Sequence, residues 1–334
     1  MNYITGFTDE QMAGQRLMIG FDGTELNRDL KYYIGTLKVG GIILFSGNIR
    51  DVPQLKNLCR SAQSYAGDCG QPPLFIAIDQ EGGQVARLKE PFTVFRGNPF
   101  MTAKADARYF AEITATELNQ VGINMNMAPV LDIAPKEINS IMAGRSFGHD
   151  PGHVSLLGTE VIMGLQQNGI LSVAKHFPGI GRTTVDSHHD MPSLDVTPED
   201  LETSDLLPFQ AAIACDVAGI MLSHIHYPGF DQKWPASLSP AIARKLLRRR
   251  LGFDGLVITD DLDMGAIKKH YSIHSAVRQI LKADIDIALI CHKSPDIPAA
   301  FEEILQQTGK SELMADRGEK AVKRILRAKE RLEC

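Results

Sequence analysis

Short runs of hydrophobic residues recur along the chain, and polar side chains follow most of them. The runs are mostly continuous rather than alternating, a pattern typical of strands that are covered on both faces. One run ends abruptly at Lys175 and His176, which precede a turn rich in Pro and Gly. Eight runs are predicted to form strands, at residues 16–21, 41–45, 74–78, 123–128, 170–174, 219–222, 255–258 and 285–290.

Segments with apolar residues three and four positions apart lie between these runs and predict helices. The clearest cover residues 103–118, 202–214, 240–251 and 311–332, the last as a closing helix that packs outside the barrel. A capping box from Thr8 to Gln11 predicts a further short helix. Eight strands alternating with helices predict an α/β fold, a single-domain (β/α)₈ barrel of the TIM type over residues 1–334.

Polar side chains stand at the ends of seven of the eight runs. In a barrel of parallel strands the active site lies at the C-terminal ends, because all strands converge there on one mouth. We therefore expect the functional residues among these side chains. They include Ser46, Asn48, Asp79, Gln80, Glu81, Asp132, Lys175, His176, Ser223, His224, His226, Asp260, Asp261 and His292.

Composition places the chain among ordinary globular proteins and argues against several kinds of partner. It has 334 residues, of which 44% are hydrophobic and 22% charged, enough to bury a large core. The net charge of −5 argues against a nucleic-acid or anionic-membrane surface. The basic cluster at residues 244–250 is expected to be the solvated face of a helix.

The remaining general features predict a cytoplasmic protein, and we expect a monomer, although these features do not address the oligomeric state. No apolar run approaches the roughly 20 residues that span a bilayer. The first residues lack the basic and apolar regions of a signal peptide. The five cysteines are scattered without zinc-binding spacing, which fits a reducing compartment.

Three residues have the chemistry of a catalytic site. Asp260 directly follows a predicted strand, so a rigid element holds its carboxylate at the mouth, where it can be a nucleophile, a base or a metal ligand. Asp186 and His188 lie two residues apart in a polar loop. A carboxylate near an imidazole orients the ring and raises its pKa, which suits acid–base catalysis. The alternative is a pair of unconnected surface residues.

A second set of polar residues suits a ligand rich in hydroxyl groups. Charged hydrogen bonds to hydroxyls orient such a ligand and discriminate against analogues that lack them. Salt bridges for the two arginines and a structural role for the lysine are the alternatives. Glu81 either holds these residues in place without touching the ligand or contacts the ligand itself. The set is Asp79, Arg87, Arg145, Lys175 and His176.

Metal binding needs separate consideration, because two stretches are rich in histidine. Residues 188–190 read His-His-Asp, and His224 and His226 would share one face of the sixth strand, so a zinc site is geometrically possible. Barrel metallohydrolases carry such a pair on their first strand, and residues 16–21 contain no histidine. We therefore expect no metal.

Four motifs resemble glycoside hydrolase family 3 over almost the whole chain. The resemblance is greatest to the compact, single-domain bacterial β-N-acetylglucosaminidases of cell-wall recycling. The matching segments are KHFPGIG at residues 175–181 followed by DSH at 186–188, DQEGG at 79–83 followed by Arg87, RSFG at 145–148, and the nucleophile signature at 246–260.

This resemblance implies a retaining glycosidase that needs no metal or organic cofactor. Asp260 would be the nucleophile, and His188, assisted by Asp186, would be the general acid and base. The five residues of the polar set would bind the non-reducing sugar. The implied substrate is GlcNAc β-1,4-linked to an anhydro-muramyl unit, with or without peptide. Phosphorolysis is a minor alternative, because a histidine base repels phosphate less than a carboxylate does.

Two positions depart from the family pattern, and three rival functions remain. Ile180 replaces a histidine common in the PGxG turn, and Gln84 replaces an arginine common after DQEGG. Both bear on loop packing or on the preference for the leaving group. The rivals are a β-glucosidase or β-xylosidase of the same family, a metal-dependent barrel hydrolase, and a non-catalytic sugar-binding protein.

Overall fold

In the part of the chain that the structure describes, eight parallel strands follow one another in chain order around a single sheet. The computed structural model describes residues 6–185 and 190–332 of the protein. Its barrel strands are β1 Leu17–Ile19, β2 Gly41–Leu44, β3 Phe75–Ile78, β4 Met125–Asn126, β5 Leu171–Phe177, β6 Gly219–Leu222, β7 Leu256–Thr259 and β8 Ala288–Ile290.

The last strand closes the sheet by pairing on both of its sides. On one side, Ala288 of β8 stands opposite Leu17 of β1 in parallel register. On the other side, Ile287 forms a parallel bridge with Ile258 of β7, and the amide of Thr259 donates to the Ile287 carbonyl at 3.1 Å. The predicted (β/α)₈ barrel is confirmed.

Alternate residues of each strand enter two different parts of the core. In β2, Ile43 joins the cluster inside the barrel, whereas Ile42 and Leu44 pack against the helices outside. All four positions of this strand are buried. Because both faces need apolar side chains, the strands appear in the sequence as continuous hydrophobic runs.

Helices lie between the strands and cover the barrel. None in the described ranges is long and apolar enough to cross a membrane. The α-helices are Asp9–Gly14, Arg28–Gly35, Val52–Asp68, Lys104–Val121, Pro151–Gln167, Pro198–Asp200, Leu207–Ala214, Gly265–Lys268, Ile273–Ala283, Asp296–Thr308 and Glu312–Glu330. Short 3₁₀-helices span Ser46–Asn48, Asn98–Phe100 and Ala236–Leu238.

Two of the helical predictions are confirmed closely. The helix predicted at residues 103–118 is Lys104–Val121. The capping box is reciprocal, since Thr8 Oγ1 accepts from the Gln11 amide at 3.2 Å and Gln11 Oε1 accepts from the Thr8 amide at 3.0 Å. At the start of this short helix, the two side chains therefore accept hydrogen bonds from two backbone amides that have no partner within the helix.

Two other predicted helices differ in their winding. The segment predicted at residues 202–214 is divided into a π-helical turn, Leu201–Asp205, and the α-helix Leu207–Ala214. Pro208 contributes to this division, because it has no amide hydrogen to continue the preceding ladder. The segment predicted at residues 240–251 is π-helical over Ala241–Arg250.

The last helix, Glu312–Glu330, covers the N-terminal end of the barrel instead of packing on its outside. Ile325 and Ala328 belong to the cluster of apolar residues inside the barrel. Lys329 Nζ donates to the carbonyl of Gly40, directly before β2, at 2.9 Å. The expectation of an outer helix is therefore wrong in its placement, and this end of the barrel is closed.

The basic cluster at residues 244–250 is also only partly solvated. Lys245 and Arg249 are exposed as expected. Arg248 instead turns inward, and its guanidinium pairs with the fully buried carboxylate of Asp286. The expectation of a solvated face is wrong for Arg248, because a buried carboxylate requires a cationic partner.

Candidate active site

The carboxyl ends of the barrel strands surround a cavity of about 530 Å³. Apolar side chains from the strands, among them Ile43, Met221 and Leu289, contribute to its lining, together with a large group of polar residues. Six of the residues predicted from the sequence line this one cavity: Asp79, Arg87, Arg145, Lys175, His176 and Asp260.

A second cavity, of about 510 Å³, adjoins the first, and the two share Arg87. Its other lining residues include Ile49, Val52, Pro91 and Phe92. Asp260 lines only the first cavity. The first cavity is therefore the candidate active site.

A β-hairpin that the sequence analysis did not predict follows β3 and forms one wall of the site. It pairs Gln80–Gly82 with Val85–Ala86. Gly83 at its turn has φ +61°, and a Cβ there would lie 2.8 Å from the carbonyl oxygen of Arg96. Glycine is thus required at this turn. Gln80 Oε1 accepts the amide of Arg87 at 2.8 Å, which ties the chain after the second arm to the first arm.

Lys175 stands at the centre of an ion-pair network. Its Nζ lies 2.7 Å from Asp79 Oδ1 and 2.7 Å from Glu81 Oε1. Arg145 binds Glu81 with two parallel hydrogen bonds, Nε to Oε2 at 2.9 Å and a terminal nitrogen to Oε1 at 2.7 Å. Arg87 donates to Asp79 Oδ2 at 3.2 Å. The two arginines are thus both ion-paired and part of the cavity wall.

Opposite charges keep this network ionised. Burial alone would raise the pKa of Asp79, but Lys175 and Arg87 outweigh burial and hold the pKa at about 2. The pKa of Glu81 is also lowered, since Lys175 and Arg145 outweigh its burial. The pKa of Lys175 is raised, because the two carboxylates outweigh its burial. The cavity therefore presents fixed charges to a ligand at neutral pH.

His176 is oriented by a buried aspartate. It follows Lys175 through a cis peptide bond, and its Nδ1 lies 2.7 Å from Asp132 Oδ2. The other carboxylate oxygen accepts the amide of Ile180 at 2.8 Å. Asp132 is 1% exposed, so its carboxylate fixes the ring of His176 and is not itself open to a ligand.

Asp260 lies directly after β7 and is held by backbone contacts. Its amide donates to the carbonyl of Leu222 at 2.9 Å, and its Oδ1 accepts the amide of Asp261 at 2.8 Å. Burial would raise the pKa of Asp260, but His224, His176, the Asp261 amide and Lys175 together lower it below its usual range. Asp260 is therefore a carboxylate at neutral pH, which a nucleophile or a base requires.

Asp261, the residue after Asp260, is a hydrogen-bonded acid. Its Oδ1 accepts the amides of Asp263 at 3.0 Å and Cys291 at 2.9 Å. Burial raises its pKa to about 6, with further contributions from the neighbouring acids Asp263 and Asp260. It lines the same cavity as Asp260, because the strand ends at Thr259 and does not continue through both residues.

The predicted acid–base residues, Asp186 and His188, lie outside the described residues. On the C-terminal side of that gap, Asp190 Oδ1 lies 2.8 Å from His270 Nε2. Pro192 accepts the amide of His226 at 2.9 Å, and the amide of Leu194 donates to the His226 carbonyl at 2.9 Å.

The histidine pair of the sixth strand does not form a metal-binding group within residues 6–185 and 190–332. His224 Nδ1 lies 2.7 Å from Ser237 Oγ, whereas His226 Nδ1 is 3.5 Å from Ser193 Oγ. In the same ranges one group of three has suitable spacing, with ligand atoms within 4.8 Å of one another. It consists of Asp261, Asp263 and His292.

Three further residues belong to the site, and the sequence placed them among the polar residues at the strand ends without assigning them a definite role. They are Glu81, Asp132 and His224. Each follows a predicted strand closely, which was the available signal. Their partners come from other strands, so their roles became clear only from the folded chain.

Residues 8–328 match the family model described as "Glycosyl hydrolase family 3 N terminal domain". Beta-hexosaminidase A of Pseudoalteromonas piscicida is 37% identical over 319 residues, which cover 85% of this chain and 53% of the relative. The beta-hexosaminidase of Thiobacillus denitrificans is 36% identical over 299 residues, which cover 86% of this chain and 80% of the relative.

A solved structure of similar fold is that of a glycoside hydrolase family 3 beta-N-acetylglucosaminidase from Paenibacillus sp.. The TM-score is 0.94 at 38% identity, and the match covers 98% of this chain and 63% of that one. The chain thus spans about half the length of the Pseudoalteromonas relative and less than two thirds of the Paenibacillus protein.

Proposed function

Because the chain belongs to glycosyl hydrolase family 3, we propose that it is a retaining β-N-acetylglucosaminidase that releases terminal β-linked GlcNAc. The observation that carries the proposal is the half-buried, ionised carboxylate of Asp260 at the end of β7. It faces the same cavity as the network around Lys175. A fixed anion beside a charged, hydroxyl-binding wall suits attack on an anomeric carbon.

The network is proposed to bind the non-reducing sugar. Ion pairing fixes the positions of Asp79, Arg87, Arg145 and Lys175, so their remaining hydrogen-bonding capacity points into the cavity without reorganisation. His176 is held by Asp132 and has its Nε2 available for a further hydroxyl. Such charged contacts reject sugars that lack the matching hydroxyls.

The proposed reaction proceeds through two displacements. Asp260 attacks the anomeric carbon, an ester bond to the carboxylate forms, and the glycosidic C–O bond breaks as His188 gives its proton to the leaving oxygen. Water then attacks the same carbon, gives a proton to His188, and the ester bond breaks to regenerate the carboxylate. Asp186 would orient the imidazole and stabilise its protonated form.

The proposed substrate is GlcNAc β-1,4-linked to an anhydro-muramyl unit, with or without peptide, as in peptidoglycan fragments. The beta-hexosaminidase names of the relatives support the sugar, and the sequence motifs support the cell-wall source. We further propose that the chain acts as one domain over residues 1–334, as a cytoplasmic monomer without a metal or organic cofactor.

The proposal is tested by hydrolysis of 4-nitrophenyl β-N-acetylglucosaminide beside the β-glucoside, with EDTA present. We expect turnover of the first substrate only, and the first-formed sugar should be the β-anomer by NMR. Asp260→Ala should lower kcat by at least about 10³-fold. Added azide should restore turnover and give the α-glycosyl azide, because a small anion can replace the missing carboxylate.

Asp254→Asn is a matched control, since Asp254 lies in an exposed ion pair with Arg327 at the other end of the barrel. It should leave kcat unchanged. Turnover of the glucoside alone would contradict the proposed sugar, and an α-anomeric first product would contradict retention. Activity lost with EDTA would contradict a metal-free reaction.

A further inference from the structure

His224 connects two segments that follow different strands. It lies two residues after β6 and is 1% exposed. Its Nδ1 is 2.7 Å from the hydroxyl of Ser237, and its Nε2 is 2.8 Å from the carbonyl oxygen of Asp261. A carbonyl oxygen only accepts, so Nε2 carries a hydrogen and donates it. The imidazole is therefore held in one orientation from both sides.

The residue that His224 holds is the one that contacts the nucleophile. The amide of Asp261 donates to Asp260 Oδ1 at 2.8 Å, and the carbonyl of the same residue accepts from His224. The Asp261 side chain is held as well, by the amide of Cys291 at 2.9 Å. Rotation of this backbone would turn the amide away from Asp260, so the contact from His224 restrains the carboxylate.

We propose that His224 is a positioning residue for Asp260, acting through the backbone of Asp261. By fixing the Asp261 amide on one carboxylate oxygen, it directs the other oxygen toward the anomeric carbon. This inference rests on the proposed function, in which Asp260 is the nucleophile. Correct placement of an attacking group contributes strongly to rate, and a displacement of about 1 Å can lower it about 10²-fold.

The charges around Asp260 give the inference a second readout. Burial raises the pKa of Asp260, and His224 is the strongest of the side chains that lower it, ahead of His176 and Lys175. On the other side, Asp260 shares the cavity with Asp261 and Cys291, whose pKa values it helps to raise. Loss of the imidazole should therefore raise the pKa of Asp260 and move the acidic limb of kcat/KM to higher pH.

The test compares His224→Met, which keeps side-chain volume but has no donor, with His224→Gln, whose amide can replace Nε2. With 4-nitrophenyl β-N-acetylglucosaminide, His224→Met should lower kcat about 10²-fold and leave KM within about threefold. His224→Gln should recover most of that loss, because it restores the hydrogen bond. Both variants should show the shifted acidic limb, since neither carries the imidazole that lowers the pKa of Asp260.

Two further variants keep the test decisive. Ser237→Ala removes the second anchor of the ring and should lower kcat in the same direction but less, which carries the test if His224→Met does not fold. His274→Gln is the control, since His274 pairs with Glu303 between two outer helices and should leave kcat and the pH profile unchanged.

A kcat within threefold of wild type and an unmoved acidic limb in both His224 variants would overturn the inference. Equal losses in His224→Met and His224→Gln would overturn the role of the hydrogen bond. Failure of the proposed function is distinguishable, because the wild type would then not turn over the substrate or Asp260→Ala would keep full activity.

Discussion

Both ends of the barrel bury a network of charged side chains, but the arginines at the mouth are more open to solvent than those at the opposite end. At the mouth, the side chains of Arg87 and Arg145 are 27% and 20% exposed. At the opposite end, those of Arg248 and Arg324 are 7% and 8% exposed, and their shared partner Asp286 is fully buried. Charges beside open space can bind a ligand, whereas charges sealed from water serve to join elements of the fold.

The sealed network joins three parts of the chain. Asp286 lies just before β8, Arg248 is on the π-helix Ala241–Arg250, and Arg324 is on the last helix. One carboxylate oxygen accepts from Arg324 Nε at 2.8 Å, and the other accepts the amide of Val257 at 2.8 Å as well as the Arg248 guanidinium. Removing one member of such a group leaves buried charges without a partner.

The largest expected effect follows from Asp286→Asn. The substitution removes the negative charge shared by two buried arginines, and we expect the free energy of unfolding to fall by about 3–5 kcal/mol. The folded fraction should keep its kcat and KM, because the contacts of this network within residues 6–185 and 190–332 do not reach the cavity. Urea unfolding and kinetics below the transition would measure the two quantities. If kcat/KM fell more than threefold and stability were unchanged, the network around Asp286 would serve catalysis and not the fold, contrary to the roles given to the two ends.

Arg145→Lys tests the mouth in the same way. The variant keeps the positive charge beside Glu81 but loses the two parallel hydrogen bonds of the guanidinium. We expect kcat/KM to fall about 30–100-fold, equivalent to about 2–3 kcal/mol of transition-state binding, and stability to fall by clearly less than in Asp286→Asn.

The control for Arg145→Lys is Arg327→Lys, which keeps an exposed pair with Asp254 at the far end of the barrel. It should leave both kcat/KM and the urea midpoint unchanged. If Arg145→Lys lost as much stability as Asp286→Asn and no kcat/KM, the mouth network would be structural, and the comparison between the two ends would fail.

The sequence predicted the barrel and the mouth because both depend on local patterns. Continuous apolar runs indicate strands buried on two faces, and the barrel topology brings the carboxyl ends of these strands together. The sequence alone therefore predicts that Asp260 and Lys175 lie at the same mouth. The partners of those residues were not predictable in the same way. The hydrogen bond from His224 to the Asp261 carbonyl joins residues 37 apart in the chain.

The sealed end was predicted less well for the same reason. An aspartate within the apolar run at residues 285–290 signals a buried charge that needs a cation, but the spacing does not say which cation supplies it. The pattern of the 244–250 cluster suggested solvent for Arg248, and only the fold brings Asp286 to it. Amphipathicity likewise predicted the last helix but not the end of the barrel that it covers.

Lys329→Met has the smallest expected effect of these variants. It tests whether a buried lysine at the sealed end of the barrel loses its proton as the pH rises. Lys329 lies over the ring of Phe75, with Nζ bound to Gln15 Oε1 at 2.7 Å and to the Gly40 carbonyl at 2.9 Å. No carboxylate is among these contacts, and burial lowers its pKa to about 7. An unfolded lysine has a pKa of about 10.4. Between these values the unfolded chain binds more protons, so the fold loses stability as pH falls from about 10 to about 7.

Methionine at position 329 removes this titration. Relative to wild type, the free energy of unfolding of Lys329→Met should therefore rise by about 2 kcal/mol between pH 9 and pH 7, measured by urea unfolding at several pH values. Lys245→Met, at an exposed position, should give a curve parallel to wild type. Parallel curves for Lys329→Met would mean that Lys329 keeps its proton through this range. Because the site lies at the opposite end, neither variant should change kcat/KM at pH 7.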